Sequence, residues 1–203
     1  DYDQYVRCSR KLMKLLSEYS PSVEPYSIDE AFVDMTGMEK LFGEPLDCAQ
    51  KIRVRIRKEL GFTVNVGISV NRLLAKMASD FEKPDKVHTL FPEEVPEKMW
   101  PLPVRELFGV GRSTEKKLEK LGIHTIGELA GSDREFLVRN LKSQGKVLWE
   151  YANGIESSPM VGREVENKGY GNRVTLPREL LTQEEARLVV LSLCETVGAR
   201  LRM

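Results

Sequence analysis

Two short runs hold the residue types most able to do chemistry. In Tyr26-Ser27-Ile28-Asp29-Glu30-Ala31-Phe32-Val33-Asp34, two adjacent carboxylates interrupt an otherwise apolar extended segment. Charge left half buried there is costly unless something compensates it, and a pair of divalent cations is one such compensation. Neighbours on a regular strand point to opposite faces, so Asp29 and Glu30 reach one site only if the chain turns or kinks between them. The alternative is a hairpin tip whose acids sit in water, and residue type alone does not choose between the two. The second run is Leu107-Phe108-Gly109-Val110-Gly111, between a short helix and a longer one with Leu118 and Leu121 inward. This is a helix–hairpin–helix pattern. Its glycines let the backbone come close to a phosphate, and the N–H groups opening the second helix form an anion site. Lys116, Lys117 and Lys120 stand ready to neutralise neighbouring phosphates without reading sequence. Hairpin and lysines together favour phosphate binding over a plain glycine-rich connector.

The elements that must position these runs follow from periodicity. Tyr5, Cys8, Leu12, Leu15, Leu16 and Tyr19 recur at helical spacing. Asp1-Tyr2-Asp3 resembles an acid-x-acid metal pair, but no strand precedes it, and capping by Asp1 or Asp3 is the better reading. After Ser20-Pro21-Ser22 the chain is expected to be extended from Val23 to Met35, ending at Thr36-Gly37. A helix is predicted over Pro45 to Leu60, with Pro45 in its first turn and Gly61 as terminator. Thr63 to Ser69 reads as a strand, Asn71 as the cap of a helix through Leu74, Met77 and Ala78, and Lys86 to Phe91 as a further strand. That order implies an α+β layer, a sheet with helices on one face. Pro92, Pro96, Pro101 and Pro103 mark a change to an all-helical pattern lasting to Asn153. Ile155 to Lys168 reads as a linker. Gly169 to Leu176 looks extended, and Thr182 with Glu185 forms a capping box. The helix that follows puts Ala186, Val189, Val190, Leu193, Val197 and Leu201 on one stripe. One strand and one helix cannot close a core, so this last domain is read as cut short.

Composition sets the frame. The 203 residues carry 31 basic and 31 acidic side chains, with 41% hydrophobic and 31% charged residues, the balance of a charged globular protein rather than a disordered one. Zero net charge argues against a nucleic-acid-binding tail. No apolar run approaches the ~20 residues of a membrane span. Cys8, Cys48 and Cys194 are far apart and in no C-x-x-C pair, which speaks against a disulfide framework or a zinc ribbon and for a reducing, cytoplasmic setting. The chain opens on Asp1 rather than Met and is read as a segment of a longer protein.

Three blocks in this order resemble the Y-family, lesion-bypass DNA polymerases of the DinB and UmuC kind. Ser27-Ile28-Asp29-Glu30-Ala31-Phe32 is similar to the palm signature of that family. Ala75-Lys76-Met77-Ala78-Ser79-Asp80 with Lys83-Pro84 resembles its second palm motif, and Gly109-Val110-Gly111 its thumb hairpin. Pro177-Arg178-Glu179-Leu180 resembles the start of its little finger. The resemblance implies a partial ferredoxin-like palm over 1–91, a helix–hairpin–helix thumb over 92–156, a linker over 157–167, and the first strand and helix of a little finger over 168–203.

It also implies roles. Asp29 would bridge two Mg²⁺ ions and Glu30 would bind the one that activates the primer 3′-OH, while the other ion steadies the leaving pyrophosphate. Lys83 would touch the incoming triphosphate. Gly109 and Gly111 would offer N–H groups to the primer backbone, with Val110 between them and Lys116, Lys117 and Lys120 nearby. Ser27 would shape the turn, and Asp34 and Asp80 would be structural. Lys86 departs from the Gly that family members often have after the Lys-Pro-Asx turn. Primer–template DNA and a dNTP are the implied partners, with a sliding clamp bound through a tail beyond these residues.

The family's first palm strand with its metal-binding aspartate, its fingers and the end of its little finger have no counterpart among the 203 residues. The chain by itself is therefore expected to bind Mg²⁺ weakly, to extend primers negligibly, and to expose strand edges through which copies could associate. A non-catalytic DNA-binding scaffold related to bypass polymerases is the rival reading. Paired acids in a sheet argue against it. An unrelated repair nuclease or glycosylase would account for the hairpin but not for the palm motifs.

Overall fold

The computed structural model describes residues 2–156 and 169–202. Helix α1 runs Tyr2–Leu16 and buries Leu12, Leu15 and Leu16, while Tyr5 stays exposed. Asp3 lies inside its first turn, where a carboxylate suits the helix dipole, and not at the cap. The cap proposed for Asp1 lies outside the described residues. The segment expected to be one extended run is a hairpin: β1 (Val23–Pro25) pairs antiparallel with β2 (Ala31–Val33), Glu24 opposite Phe32. The chain doubles back at the two acids, because a buried straight strand would leave their charge uncompensated.

A single turn, α2 (Glu39–Phe42), leads to α3 (Pro45–Leu60). Its bounds match the sequence signals, with Pro45 at the start and Gly61 in the left-handed region at φ 78°. Next come β3 (Val66–Ile68), α4 (Arg72–Asp80) and β4 (Val87–Thr89). The two strands are parallel, Val66 opposite Val87, and α4 is the crossover between them. Gly67 is required here. A Cβ on it would lie 1.8 Å from the carbonyl oxygen of Ala75, so only a bare backbone lets β3 pack this close to α4.

Among the described residues the strands form two two-stranded pieces, β1–β2 and β3–β4, rather than one continuous sheet. A cleft of about 1400 Å³ lies beside both, lined by Ala31, Val33, Val66 and Ile68 from the strands and by Leu12 and Ile52 from the helices.

The chain continues as short turns and helices: α5 (Val95–Lys98), a 3-10 turn at Val104–Glu106, α6 (Arg112–Lys120), α7 (Ile126–Ala130), α8 (Arg134–Leu141) and α9 (Ser143–Ala152). Two cores result. Leu12, Leu15, Leu16, Tyr19, Cys48, Ile52 and Ile56 form one between α1 and α3. The other gathers Leu107, Leu118, Ile126, Leu129, Leu137 and Leu148, and Leu73, Leu74, Met77 and Ala78 of α4 belong to it. Helix α4 therefore packs its strands on one side and the helical region on the other.

The linker predicted around 157–167 lies outside the described residues. The described residues 169–202 belong to a separate unit, whose helix α10 spans Gln183–Leu201. The hydroxyl of Thr182 accepts from the Glu185 N–H at 3.2 Å, as the capping box requires. The reciprocal arm differs, since Glu185 accepts from the Leu181 N–H at 3.0 Å. Residues 169–176 carry no strand pairing: within this unit no second strand is described, and a ladder needs a partner. Among the described residues, no helix is long and apolar enough to cross a membrane.

Candidate metal and nucleic-acid site

The turn between β1 and β2 presents the acid pair. The N–H groups of Tyr26 and Ser27 both donate to the Glu30 carbonyl, at 2.9 and 3.1 Å, which closes a tight loop around Ile28 and Asp29. Ser27 donates its hydroxyl to Oδ1 of Asp29 at 2.7 Å. The same Ser27 oxygen accepts from the Asp29 N–H at 3.4 Å, so Ser27 is bonded to Asp29 through both side chain and backbone. The turn also removes the alternation of a straight strand, and Asp29 and Glu30 line the same cleft. Asp29 is exposed and Glu30 half-buried.

Glu30 is not alone in that cleft. Lys76, from the middle of α4, bonds the Glu30 carboxylate on one side and Asp80 at 3.0 Å on the other. Asp80 in turn pairs with Lys83 at 2.8 Å. Burial works against the charge on Lys76, but the bonds to Glu30 and Asp80 outweigh it and raise its pKa. Burial likewise works against ionised Asp80, yet bonds from Lys83 and Lys76 hold its carboxyl below the usual range. Asp34 borders the same cleft, its Oδ1 accepting from the Thr36 N–H at 2.9 Å. Asp34 and Asp80 thus both line the cleft and both have local partners.

Lys83 is exposed and borders the cleft. The loop behind it is pinned to α3: Asp85 takes a left-handed conformation at φ 60° and pairs with Arg53 at 2.8 Å and Arg57 at 3.1 Å. The residue needing positive φ is thus Asp85. Lys86 does not require it, and its N–H donates to Oδ1 of Asn65 at 3.1 Å.

At the second run, Gly109 sits at φ 88° and Gly111 is the N-cap of α6 in an extended conformation. Val110 donates its N–H to the Leu107 carbonyl at 3.0 Å. That amide is spent inside the turn, so Val110 has no N–H to offer a phosphate, unlike its glycine neighbours. A Cβ on Gly111 would meet nothing within 4 Å, so the protein itself leaves open space there. Lys116, Lys117 and Lys120 are exposed along α6, and among the described residues none of the three forms an ion pair.

Four participants are not evident from the motif runs. Lys76 and Asp80 lie within a quoted block, but their amphipathic spacing reads as ordinary helix packing. Arg72 bridges Glu24 at 2.8 Å and Glu156 at 2.9 Å, joining β1, α4 and the end of the helical region. Phe108 lies against Tyr26 with ring centroids 6.1 Å apart.

Residues 1–80 match the impB/mucB/samB family, and residues 92–123 match the helix–hairpin–helix motif of the same family. Over 205 residues, 49% are identical to DNA polymerase IV of Clostridium acetobutylicum, covering 99% of this chain and 50% of that protein. The chain belongs to the Y-family of DNA polymerases. DNA polymerase IV of Moorella thermoacetica is 44% identical over 203 residues, covering all of this chain and 51% of that one. DinB from Sulfolobus solfataricus superposes with a TM-score of 0.70 at 28% identity, over 79% of this chain and 48% of that one. An insertion ternary complex of Dbh DNA polymerase gives 0.69 at 29% identity, over 79% and 47%. This Y-family chain spans about half the length of the curated relatives it matches.

Proposed function

We propose that the protein carrying this chain is a lesion-bypass DNA polymerase, transferring a nucleotide from a dNTP to a primer 3′-OH on a DNA template. The observation behind this reading is that one helix, α4, serves both motif runs: Lys76 holds Glu30 of the acid turn, and Met77 Sδ accepts the N–H of Phe108 at the glycine hairpin, at 3.4 Å. The donor chemistry of the turn fits Mg²⁺, which takes hard oxygen ligands and is usually held by one or two carboxylates plus substrate phosphates. Asp29 and Glu30 are the residues that would hold it. Such an ion, when bound, lowers the pKa of an attacking hydroxyl and steadies a leaving pyrophosphate.

The chain's own residues do the positioning. Ser27 fixes the Asp29 carboxylate, Lys76 fixes Glu30, and Lys83 stands at the cleft edge where a triphosphate can be met. Gly109 and Gly111 offer amides to the primer backbone, and Lys116, Lys117 and Lys120 offset neighbouring phosphates. Among the described residues, no group of three or more metal-ligating side chains converges. Two carboxylates make a weak Mg²⁺ site, so the 203-residue chain alone is expected to extend primers negligibly.

The test is primer extension by the full polymerase with Asp29→Asn and Glu30→Gln. Each is expected to remove about three orders of magnitude of rate with template binding retained. Activity within tenfold of the parent would sink the assignment. The pairing of Glu30 with Lys76 favours a second reading, a DNA-binding scaffold whose acids are structural; in that case both variants lose stability and no polymerase activity exists to lose.

A further inference from the structure

The acid turn and the glycine hairpin are distant in sequence, yet two aromatic side chains join them directly. We propose that Tyr26 and Phe108 are positioning residues that hold the metal-binding turn in register with the primer-gripping hairpin, an inference that rests on the polymerase reading above. Tyr26 closes the turn through its backbone, donating its N–H to the Glu30 carbonyl at 2.9 Å. Phe108 immediately precedes Gly109, the residue at φ 88° that bends the hairpin. Their rings lie 6.1 Å apart at 59°, a tilted arrangement in the favourable range for aromatic pairs. This pair is the middle of a row: Tyr26 also meets Phe32 at 5.5 Å, and Phe108 meets Tyr151 at 6.2 Å.

Core filling does not account for Tyr26, which remains 49% exposed. Its half-exposed ring meets Phe32 within its own hairpin and Phe108 across from it. A second tie runs in parallel, because Phe108 donates its N–H to Met77, the neighbour of Lys76, which holds Glu30. That backbone tie survives a change of the Phe108 side chain, so the ring pairing can be removed separately. The chemistry needs such a tie. A primer gripped by its backbone at the hairpin must bring its 3′ end to the acids, and a displacement of about 1 Å can cost up to ~100-fold in rate.

The experiment pairs a kinetic and a spectroscopic readout. In the polymerase containing this chain, Phe108→Leu keeps an apolar side chain without a ring. Its single-turnover incorporation rate is expected to fall about tenfold, with half-saturation for dNTP and affinity for primer–template within about twofold of the parent. Phe108→Tyr, which keeps the ring, is expected to restore the rate. An unchanged rate in Phe108→Leu, or a loss that Phe108→Tyr shares, overturns the proposal. The second readout needs no catalysis: the chain is labelled with 3-fluorotyrosine, and the Tyr26 fluorine resonance is assigned with Tyr26→Phe. Duplex DNA is expected to shift that resonance in the parent but not in Phe108→Leu. A shift in both, or in neither, counts against the proposal even where incorporation proceeds. A shift confined to the parent in a protein that incorporates nothing would sink the polymerase reading and leave the coupling standing.

Discussion

The ammonium of Lys76 bonds the carboxylate of Glu30, so a side chain of α4 already neutralises half of the acid pair on the β1–β2 turn. A cation bound at Asp29 and Glu30 must share Glu30 with Lys76 or displace it toward Asp80, its other partner at 3.0 Å. Removing the ammonium removes both a competitor and a repelling charge. Lys76→Met is therefore expected to raise the affinity of the 203-residue chain for Mn²⁺ by about five- to tenfold, the ~1 kcal/mol scale of a nearby charge screened by a water-like dielectric of ~80. Titration followed by electron paramagnetic resonance measures it. Affinity that stays constant or falls would show that Glu30 takes no part in cation binding.

Gly111 separates folding from recognition. Because a Cβ there meets nothing within 4 Å, Gly111→Ala is expected to lower the melting temperature only slightly, through the weaker N-cap it gives α6. A ligand phosphate approaching the same open space would collide with the added methyl, so duplex affinity should fall about three- to tenfold. Removing Lys116, Lys117 and Lys120 together should flatten the dependence of log affinity on log salt by about 0.9 for each phosphate left without its cation. Fluorescence anisotropy at several salt concentrations reads both effects, and a slope identical to the parent's would place the phosphate grip elsewhere.

Gly67 makes the opposite case. A methyl at this position would sit 1.8 Å from the backbone oxygen of Ala75, and no flexible side chain can yield. Gly67→Ala must push β3 off α4, at a cost of about 3 kcal/mol or more. Urea denaturation is the check. A variant as stable as the parent would mean that β3 and α4 are not packed at this distance.

Acid should loosen the lysine bridge. The folded-state pKa of Asp80 lies below the ordinary value, so the unfolded chain binds its proton first as pH falls. The resulting stabilisation is present above the unfolded pKa, near 4, and is lost as pH drops through the lower folded value. NMR titration of the Asp80 carboxyl is expected to give a midpoint under the usual range in the parent and one moved upward in Lys83→Gln. Coincident midpoints would show that Lys83 does not hold Asp80.

What could be read in the amino-acid order was whatever neighbours along the chain decide. Pro45 and Gly61 bound α3 because one fits a first helical turn and the other a left-handed end. Asn71 caps α4, its Oδ1 accepting from the Leu74 N–H at 2.8 Å, by a bond spanning three residues. The family motifs were legible for the same reason, being short and contiguous. Tertiary structure decided the rest. Whether Asp29 and Glu30 share a strand face or a turn depended on where β1 finds its partner. The pairing of Lys76 with Glu30, of Arg72 with Glu24 and Glu156, and of Tyr26 with Phe108 each joins residues far apart along the chain. Lysine, arginine and aromatic side chains at helical or alternating spacing look alike whether they face water or one another, and only packing α4 between its strands and the helical core gave them their partners.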